Sequence, residues 1–130
     1  MSLPKSKASL DWTPEEFRRF GYAVVDAIAA YQEQVREMPV RRHAAASDLK
    51  LLEIPEQGRP FEEVLVHVTR EVMPHTMRVD HPRFFGFVPG PSNPAGVLAD
   101  TLAAGFNVFS GTWMGGAAAT LLERQTIRWL

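Results

Sequence analysis

The sequence His81-Pro82-Arg83-Phe84-Phe85-Gly86-Phe87-Val88-Pro89-Gly90-Pro91-Ser92-Asn93 divides this chain into two parts of different character. The first 83 residues carry 25 charged side chains, whereas the 39 residues from Phe84 to Leu122 carry one, Asp100. The weakly charged stretch is rich in glycine, proline and aromatic residues, a composition that suits a surface covered by protein better than one that faces water. We therefore expect residues 84–122 to be covered by other protein.

Composition limits the class of protein. A length of 130 residues permits one domain with its own core, because a domain of this size buries about two thirds of the surface that its unfolded chain exposes. The net charge of −1 gives no footprint for nucleic acid or an anionic membrane, and the basic cluster Arg41-Arg42-His43 is short enough to be a solvated loop. The chain has no cysteine, which excludes disulfides and thiolate metal ligands and predicts a reducing, cytoplasmic compartment.

The weakly charged stretch is not expected to cross a membrane. A spanning helix needs about 20 mainly apolar residues, and this stretch is interrupted by Pro89, Pro91, Pro94 and the Gly115-Gly116 pair. Backbone covered by protein is therefore a better interpretation than backbone covered by lipid.

The histidines do not form a pattern typical of a metal site. His67 has Glu63 and Glu71 four residues away on either side, so it is either a metal ligand or a solvated histidine paired with a glutamate. The paired arrangement is the commoner of the two on a helix. His75 and His81 are six residues apart, with no second ligand at a zinc-like spacing. The sequence therefore predicts no metal site.

A first helix is predicted from Pro14 to about Met38. Thr13-Pro14-Glu15-Glu16 combines a capping threonine, a proline at the first helical position and a glutamate that completes a capping box. Pro39 disfavours helical geometry in the residue before it. Apolar residues at spacings of three and four form one stripe: Phe17, Phe20, Val24, Ile28, Tyr31 and Val35. Residues 38–57 are predicted to be a connector with one helical turn after Ser47, from Asp48 to Leu52.

A second helix is predicted from Pro60 to about Met73, ending before Pro74. Its apolar face consists of Phe61, Val64, Leu65, Val68 and Val72. Residues 74–91 hold many prolines and glycines, so we expect irregular structure there, with a short extended piece over 84–88.

A third helix is predicted from Pro94 to about Gly105, with Ser92 or Asn93 as its cap. Asp100 in its interior either faces solvent or accepts a hydrogen bond from a neighbouring group. Residues 107–116 are expected to form an irregular linker, and a last helix is expected from about Ala117. Because no stop signal precedes Leu130, we expect the chain to be a fragment of a longer protein. The predicted fold class is mainly α, with about four helices joined by irregular connectors rich in proline and glycine.

The ordered motifs of the chain resemble those of a known family. His81-Pro82-Arg83-Phe84-Phe85-Gly86-Phe87 is followed by Leu98-Ala99-Asp100, Phe106-Asn107-Val108-Phe109, Thr112-Trp113, Leu122-Glu123 and Trp129-Leu130. This series is similar to the N-terminal part of the pyridoxal-phosphate-dependent group II decarboxylases, the aromatic-L-amino-acid decarboxylase family. The resemblance extends over nearly the whole chain after about residue 11, and its specificity lies in the order of the motifs.

The resemblance implies an organisation for the longer protein. Members of the family are homodimers with the α/β fold of type I pyridoxal-phosphate enzymes, and they act on amino acids. By resemblance, residues 1–75 form a helical arm that packs on the partner subunit, and residues 76–130 lead into the large cofactor domain, truncated here after Leu130. The family's cofactor lysine and the residues that contact the cofactor ring lie downstream of the matched region. No catalytic or cofactor-binding residue is therefore named in this chain, which alone is expected to bind no cofactor and to be inactive.

The resemblance also implies roles for individual residues. Phe87, Val88, Pro89 and Gly90 would approach the substrate, and Phe109 and Gly111 would reach the site across the dimer. The predicted interface residues are Phe17, Phe20, Val24, Phe106 and Trp113.

The chain departs from the animal aromatic decarboxylases at five of these six positions. Those enzymes have a tyrosine and a phenylalanine where this chain has Phe87 and Val88, and an aliphatic residue where it has Phe109. They also have a threonine where this chain has Gly90, and an interface phenylalanine where it has Gly111, so no preference for a particular amino acid is transferred. Each aromatic residue taken singly (Phe84, Phe85 or Phe87) is better explained as a core residue, whereas the segment as a whole is better explained by a pocket and interface role.

Two hypotheses about function remain open. Burial of six large apolar side chains of the weakly charged stretch would contribute on the order of 9–18 kcal/mol, compared with a net domain stability of about 5–15 kcal/mol, so association is expected. The chain is either the N-terminal portion of a pyridoxal-phosphate decarboxylase or a short, helical, non-catalytic protein that associates with itself. The six residues are Phe85, Phe87, Phe106, Phe109, Trp113 and Met114.

Overall fold

The computed structural model of the chain describes residues 10–49 and 56–130. Within those ranges it contains four α-helices and no strand: α1 (Pro14–Gln34), α2 (Phe61–His67), α3 (Pro94–Phe106) and α4 (Trp113–Trp129). The predicted mainly α fold class with four helices is confirmed. The chain divides into two compact units at Gly90, whereas the family resemblance placed the end of the arm at residue 75.

Helix α1 begins where its capping box predicts. The Thr13 hydroxyl accepts a hydrogen bond from the backbone N–H of Glu16 at 3.2 Å, and the Glu16 carboxylate accepts one from the backbone N–H of Thr13 at 2.8 Å. The α-helical geometry ends at Gln34, and one 3₁₀ turn, Val35–Glu37, follows before Met38 becomes extended. The predicted end near Met38 is therefore confirmed, with the last turn tightened.

The second predicted helix is less regular than its apolar pattern indicates. Only Phe61–His67 is α-helical; a π-helical turn, Val68–Val72, and a 3₁₀ turn, Met73–His75, complete it. Pro74 cannot donate to the carbonyl four residues earlier, and its ring crowds that carbonyl. In addition, the Thr69 hydroxyl donates to the carbonyl of Leu65 at 2.9 Å, which favours a distorted helix. The predicted helix from Pro60 to about Met73 is therefore confirmed in extent, but its second half is π-helical and then 3₁₀ instead of α-helical.

The core of the first unit is a cluster of three aromatic rings. Phe20 of α1 lies 4.6 Å from the ring centroid of Phe61 at the start of α2, and Trp12 lies edge-on to both, at 4.8 Å and 5.3 Å. Phe20 and Val35 are the buried apolar side chains of the described ranges. The ion pair between Arg19 and Glu62, at 3.0 Å, also links the two helices, but both side chains are largely exposed and contribute little.

In the second unit, α3 follows the prediction closely. Asn93 is the cap, because its side-chain oxygen accepts a hydrogen bond from the backbone N–H of Gly96 at 2.9 Å. The helix ends at Asn107, whose φ of +48° is the left-handed conformation that commonly terminates helices. Asp100 is exposed, as its solvent-facing interpretation requires.

Helix α4 begins four residues before its predicted start at Ala117. The Thr112 hydroxyl caps it by accepting from the backbone N–H of Gly115 at 3.1 Å. Gly116 has non-helical backbone angles and kinks the helix, and a Cβ at this position would overlap the carbonyl oxygen of Phe109. The Gly115-Gly116 pair therefore bends the helix without ending it, so the prediction of an irregular linker over 113–116 was wrong.

The helical turn predicted from Asp48 to Leu52 overlaps the structure's 3₁₀ turn, Ala46–Asp48, only at Asp48. Residues 50–52 of the predicted turn lie outside the described residues.

We predict that Phe20→Ala lowers the free energy of unfolding by about 3–5 kcal/mol, because it removes the central ring of the aromatic cluster. Phe17→Ala, three residues earlier on α1, is the matched control, since its side chain is 61% exposed. It should change stability by no more than about 0.5 kcal/mol. Urea unfolding followed by circular dichroism measures both variants, and equal losses would show that the cluster is not the core.

Candidate functional site

The segment that precedes the predicted pocket residues is an anchored turn, residues 78–84. The backbone N–H of Arg78 donates to the carbonyl of Val40 at 3.0 Å, and its guanidinium Nη1 donates to the carbonyl of Pro39 at 2.9 Å. The Tyr31 hydroxyl of α1 donates to the Asp80 carboxylate at 2.7 Å. The turn is therefore held against α1 and the connector that follows it.

His81 is the most buried of the described polar residues, at 3% exposure, followed by Arg78 at 6%. Its Nδ1 accepts a hydrogen bond from the backbone N–H of Arg83 at 3.0 Å, and its Nε2 lies 3.3 Å from the carbonyl oxygen of Arg36. A backbone N–H can only donate, so Nδ1 carries no proton. The ring is therefore the neutral tautomer with its proton on Nε2, which donates to Arg36.

Sequence reasoning missed this role, because it considered His81 only as a metal ligand. The signal that was available lies in the turn chemistry around it, Val79-Asp80-His81-Pro82, where a buried side chain can bond a backbone group two residues ahead. Among the described residues, no three metal-ligating side chains are grouped so that they could hold an ion.

Burial, the hydrogen bond to the Asp80 carboxylate and the negative charge of that carboxylate together raise the pKa of Tyr31 to about 12. The positive charge of Arg78 opposes this shift. The phenol is therefore a neutral donor over the physiological pH range, and it ties α1 to the anchored turn.

The predicted pocket residues Phe87, Val88, Pro89 and Gly90 follow the anchored turn and are exposed. Phe87 is 85% exposed and has a φ of +56°, a left-handed conformation that costs energy for a bulky residue. The short extended piece predicted over 84–88 was therefore wrong at Phe87.

Phe109 and Gly111 lie in contact in the second unit. A Cβ at Gly111 would be 2.7 Å from Cζ of the Phe109 ring, and a Cβ at Gly115 would be 2.8 Å from its Cδ1. The ring thus occupies the side-chain space of both glycines, while 61% of Phe109 remains exposed. It is an aromatic surface held flat against the start of α4.

The predicted interface residues lie in different environments. Phe20 belongs to the chain's own aromatic core, Val24 is half-buried, and Phe17, Phe106 and Trp113 are at least 60% exposed. Many further apolar side chains from residue 84 onward are more than half exposed: Phe85, Val88, Leu98, Leu102, Val108, Met114, Leu121, Leu122, Ile127 and Trp129. So much exposed apolar surface is typical of an interaction site.

An apolar groove runs along α1 in the first unit. It has a volume of about 490 Å³, and Arg78, whose buried Nε has no hydrogen-bond partner, is one of its lining residues. The main apolar lining residues are Val24, Ile28, Met38, Leu65, Val68 and Met73. Across the described ranges, no helix is both long and apolar enough to cross a membrane.

Comparison with known proteins identifies relatives of the whole chain, although no family model matches it. It is 43% identical over 125 residues to an aromatic-L-amino-acid decarboxylase of Bacillus atrophaeus, an alignment that covers 94% of this chain and 26% of that protein. It is 36% identical over 129 residues to a phenylacetaldehyde synthase of Petunia hybrida, covering 97% of this chain and 25% of the relative. The chain thus spans about a quarter of the length of these relatives.

Solved structures give the same result. The chain superposes on Oryza sativa TDC with PLP and tryptamine with a TM-score of 0.84 at 25% identity, covering 93% of this chain and 25% of that one. For Catharanthus roseus tryptophan decarboxylase in complex with L-tryptophan, the TM-score is 0.83 at 26% identity, covering 93% and 27%. In fold, the chain therefore corresponds to a segment of such enzymes.

We predict that the stability of the chain falls between pH 10 and about 12 because of Tyr31. Its pKa is raised from 10.0 to about 12 on folding, so its contribution is fully present below pH 10 and is lost as the pH rises through the folded value. In Tyr31→Phe this part of the loss should be absent. Urea unfolding at a series of pH values measures it, with Tyr22→Phe, which removes an exposed hydroxyl, as the control. The same decline in Tyr31→Phe as in the unmodified chain would contradict the assignment.

We also predict that Gly115→Ala destabilises the second unit by about 1–3 kcal/mol, because the new methyl group displaces the Phe109 ring. In a Phe109→Ala background the same change should cost much less, because only the 3.1 Å approach of the new methyl group to the Thr112 hydroxyl oxygen remains. The control is Gly105→Ala, where the new methyl group meets nothing within 4 Å. Thermal unfolding of the four members of the double-mutant cycle gives the coupling energy, and additive effects would disprove the contact.

Proposed function

Because the chain corresponds to the N-terminal portion of a pyridoxal-phosphate-dependent group II decarboxylase, we propose that it supplies part of a subunit interface and part of a substrate-pocket wall. In this proposal the residues that hold the cofactor belong to the rest of a longer protein. The amino-acid substrate and the reaction are those of that longer protein.

The observation that carries this proposal is the exposed apolar surface of residues 84–130. Met114 is 96% exposed, Phe85 91% and Trp113 60%. Burial of one large apolar side chain contributes roughly 1.5–3 kcal/mol, so covering this surface would stabilise the assembled protein strongly. The chain superposes on enzymes about four times longer. This supports the proposal that the rest of such an enzyme, together with a second subunit, covers the apolar surface of residues 84–130.

The described residues do not fit a complete pyridoxal-phosphate site. The cofactor is attached in such enzymes through a lysine amine, and the lysines of this chain, Lys5, Lys7 and Lys50, lie outside the described residues. When bound, the cofactor supplies the electron sink for chemistry at the α carbon of an amino acid. The part proposed for this chain is to exclude water and to orient the substrate with Phe87–Gly90 and with Phe109 above Gly111. We propose that the chain alone is inactive.

The substrate class proposed is an aromatic amino acid. Relatives named as tyrosine decarboxylases and structures containing tryptamine or L-tryptophan support the class. The relatives include both decarboxylases and a phenylacetaldehyde synthase, so the proposal does not choose between amine and aldehyde as the product. The absence of cysteine supports the cytoplasm as the compartment.

We predict that this chain can replace the matching portion of the Bacillus atrophaeus decarboxylase. The chimera should form a dimer, bind pyridoxal phosphate and decarboxylate an aromatic amino acid, because the relative supplies the remainder of the site. Release of CO₂ measures activity, and sedimentation with cofactor absorbance tests assembly. The same relative without its matching portion is the control and should be inactive.

A chimera that assembles with bound cofactor but shows no activity would contradict the pocket role. A chain that self-associates alone and assembles in no chimera would instead favour the alternative, a short non-catalytic helical protein. A covalent pyridoxal-phosphate adduct on a lysine of the isolated chain, fixed by borohydride, would contradict the view that the cofactor residues lie elsewhere.

A further inference from the structure

We infer that His81 is a positioning residue, which fixes the path of Phe84–Gly90 through its neutral tautomer with the proton on Nε2. The function of the positioned segment as a pocket wall rests on the proposed function. The position of the segment does not, because it follows from hydrogen bonds within the first unit.

The polar groups of His81 are all engaged. Its backbone N–H donates to the carbonyl of Arg78 at 3.2 Å, and its carbonyl accepts from the backbone N–H of Phe84 at 2.9 Å. Its ring joins the carbonyl of Arg36 on one side to the N–H of Arg83 on the other. Its side chain therefore bonds both to the 3₁₀ turn that follows α1 and to the backbone ahead of it.

The segment that follows has few contacts of its own. Phe85 is 91% exposed, Phe87 85% and Val88 fully exposed. Phe84 is half-buried, and its ring centroid is 6.5 Å from that of Phe87. The direction of the segment is therefore set where it leaves the turn, at Arg83 and Phe84, and the backbone N–H groups of both residues are bonded to His81.

Arg78 has a different part in the same turn. Its backbone N–H and its guanidinium donate hydrogen bonds to residues earlier in the sequence, to the carbonyls of Val40 and Pro39. They hold the turn in place but do not contact the segment ahead. Arg78 therefore anchors the turn, whereas His81 positions the segment that follows it.

Two substitutions separate the bonds of the ring. In His81→Asn the side-chain oxygen can accept from the N–H two residues ahead, as asparagine commonly does in turns, but the bond to Arg36 is lost. In His81→Gln a donor can reach the Arg36 carbonyl, while the acceptor near Arg83 is lost. His81→Ala removes both bonds, and His43→Ala removes an exposed histidine as the control.

Nuclear magnetic resonance of the full 130-residue chain is the test. The ¹⁵N shifts of the imidazole should show an unprotonated Nδ1 and a protonated Nε2. In His81→Ala and His81→Gln, the Arg83 amide should exchange about tenfold faster, the effect of losing one hydrogen bond. The amide resonances of residues 84–88 should shift in both variants. His81→Asn should restore them close to those of the unmodified chain, and His43→Ala should leave them unchanged.

Three results would overturn the inference: a proton on Nδ1, unmoved resonances of residues 84–88 in His81→Ala, or restoration by glutamine as complete as by asparagine. If His81→Ala fails to fold, the comparison of asparagine with glutamine still decides the matter. None of these measurements uses activity, so an inactive chimera would refute the proposed function and leave this result intact.

Discussion

The described structure of the first unit depends on hydrogen bonds that hold the turn of residues 78–84 against the end of α1 and its connector. The unit has a small core, in which Phe20 and Val35 are the buried apolar side chains of the described ranges. Its most buried polar residues, His81 and Arg78, are both in this turn. Burying a polar group destabilises the fold unless the group is hydrogen-bonded. The bonds from Arg78 and His81 to the carbonyls of Arg36, Pro39 and Val40 satisfy most of the buried polar groups of these two residues. These bonds determine where the exposed Phe84–Gly90 segment begins.

A second constraint is the apolar surface that begins at Phe84. In water, a chain with Phe85, Met114 and Trp113 exposed is marginal, because little apolar burial offsets the entropy of ordering it. The same side chains become favourable once other protein covers them. The fold therefore makes physical sense as part of a larger assembly, in agreement with its likeness to about a quarter of much longer enzymes. The interface and pocket roles proposed above follow from this surface.

The features best predicted from the sequence are the helix starts that a local capping residue determines. Thr13 and Asn93 sit directly before a proline and a helix, and both are caps in the structure. Two features were missed although their signals are local. Helix α4 begins at its Thr112 cap, ahead of the Gly115-Gly116 pair, and the helix before Pro74 contains the π-helical turn Val68–Val72 despite its apolar stripe. Prediction also failed where groups distant in the sequence decide the structure. The ring of His81 bonds to the carbonyl of Arg36, 45 residues earlier in the sequence. Such a contact cannot be predicted from the spacing of residues in the sequence. The left-handed Phe87 was not predictable, since composition favours an extended chain there.

The most direct test of the central claim, that other protein covers residues 84–130, is hydroxyl-radical footprinting of Met114, whose side chain is 96% exposed in this chain. Its oxidation rate would be measured by mass spectrometry in the isolated chain and in an assembled chimera with the Bacillus atrophaeus relative. We predict fast oxidation of Met114 in the isolated chain and strong protection in the chimera, with the rates normalised to a free methionine added to both samples. Equally fast oxidation of Met114 in both would contradict the claim.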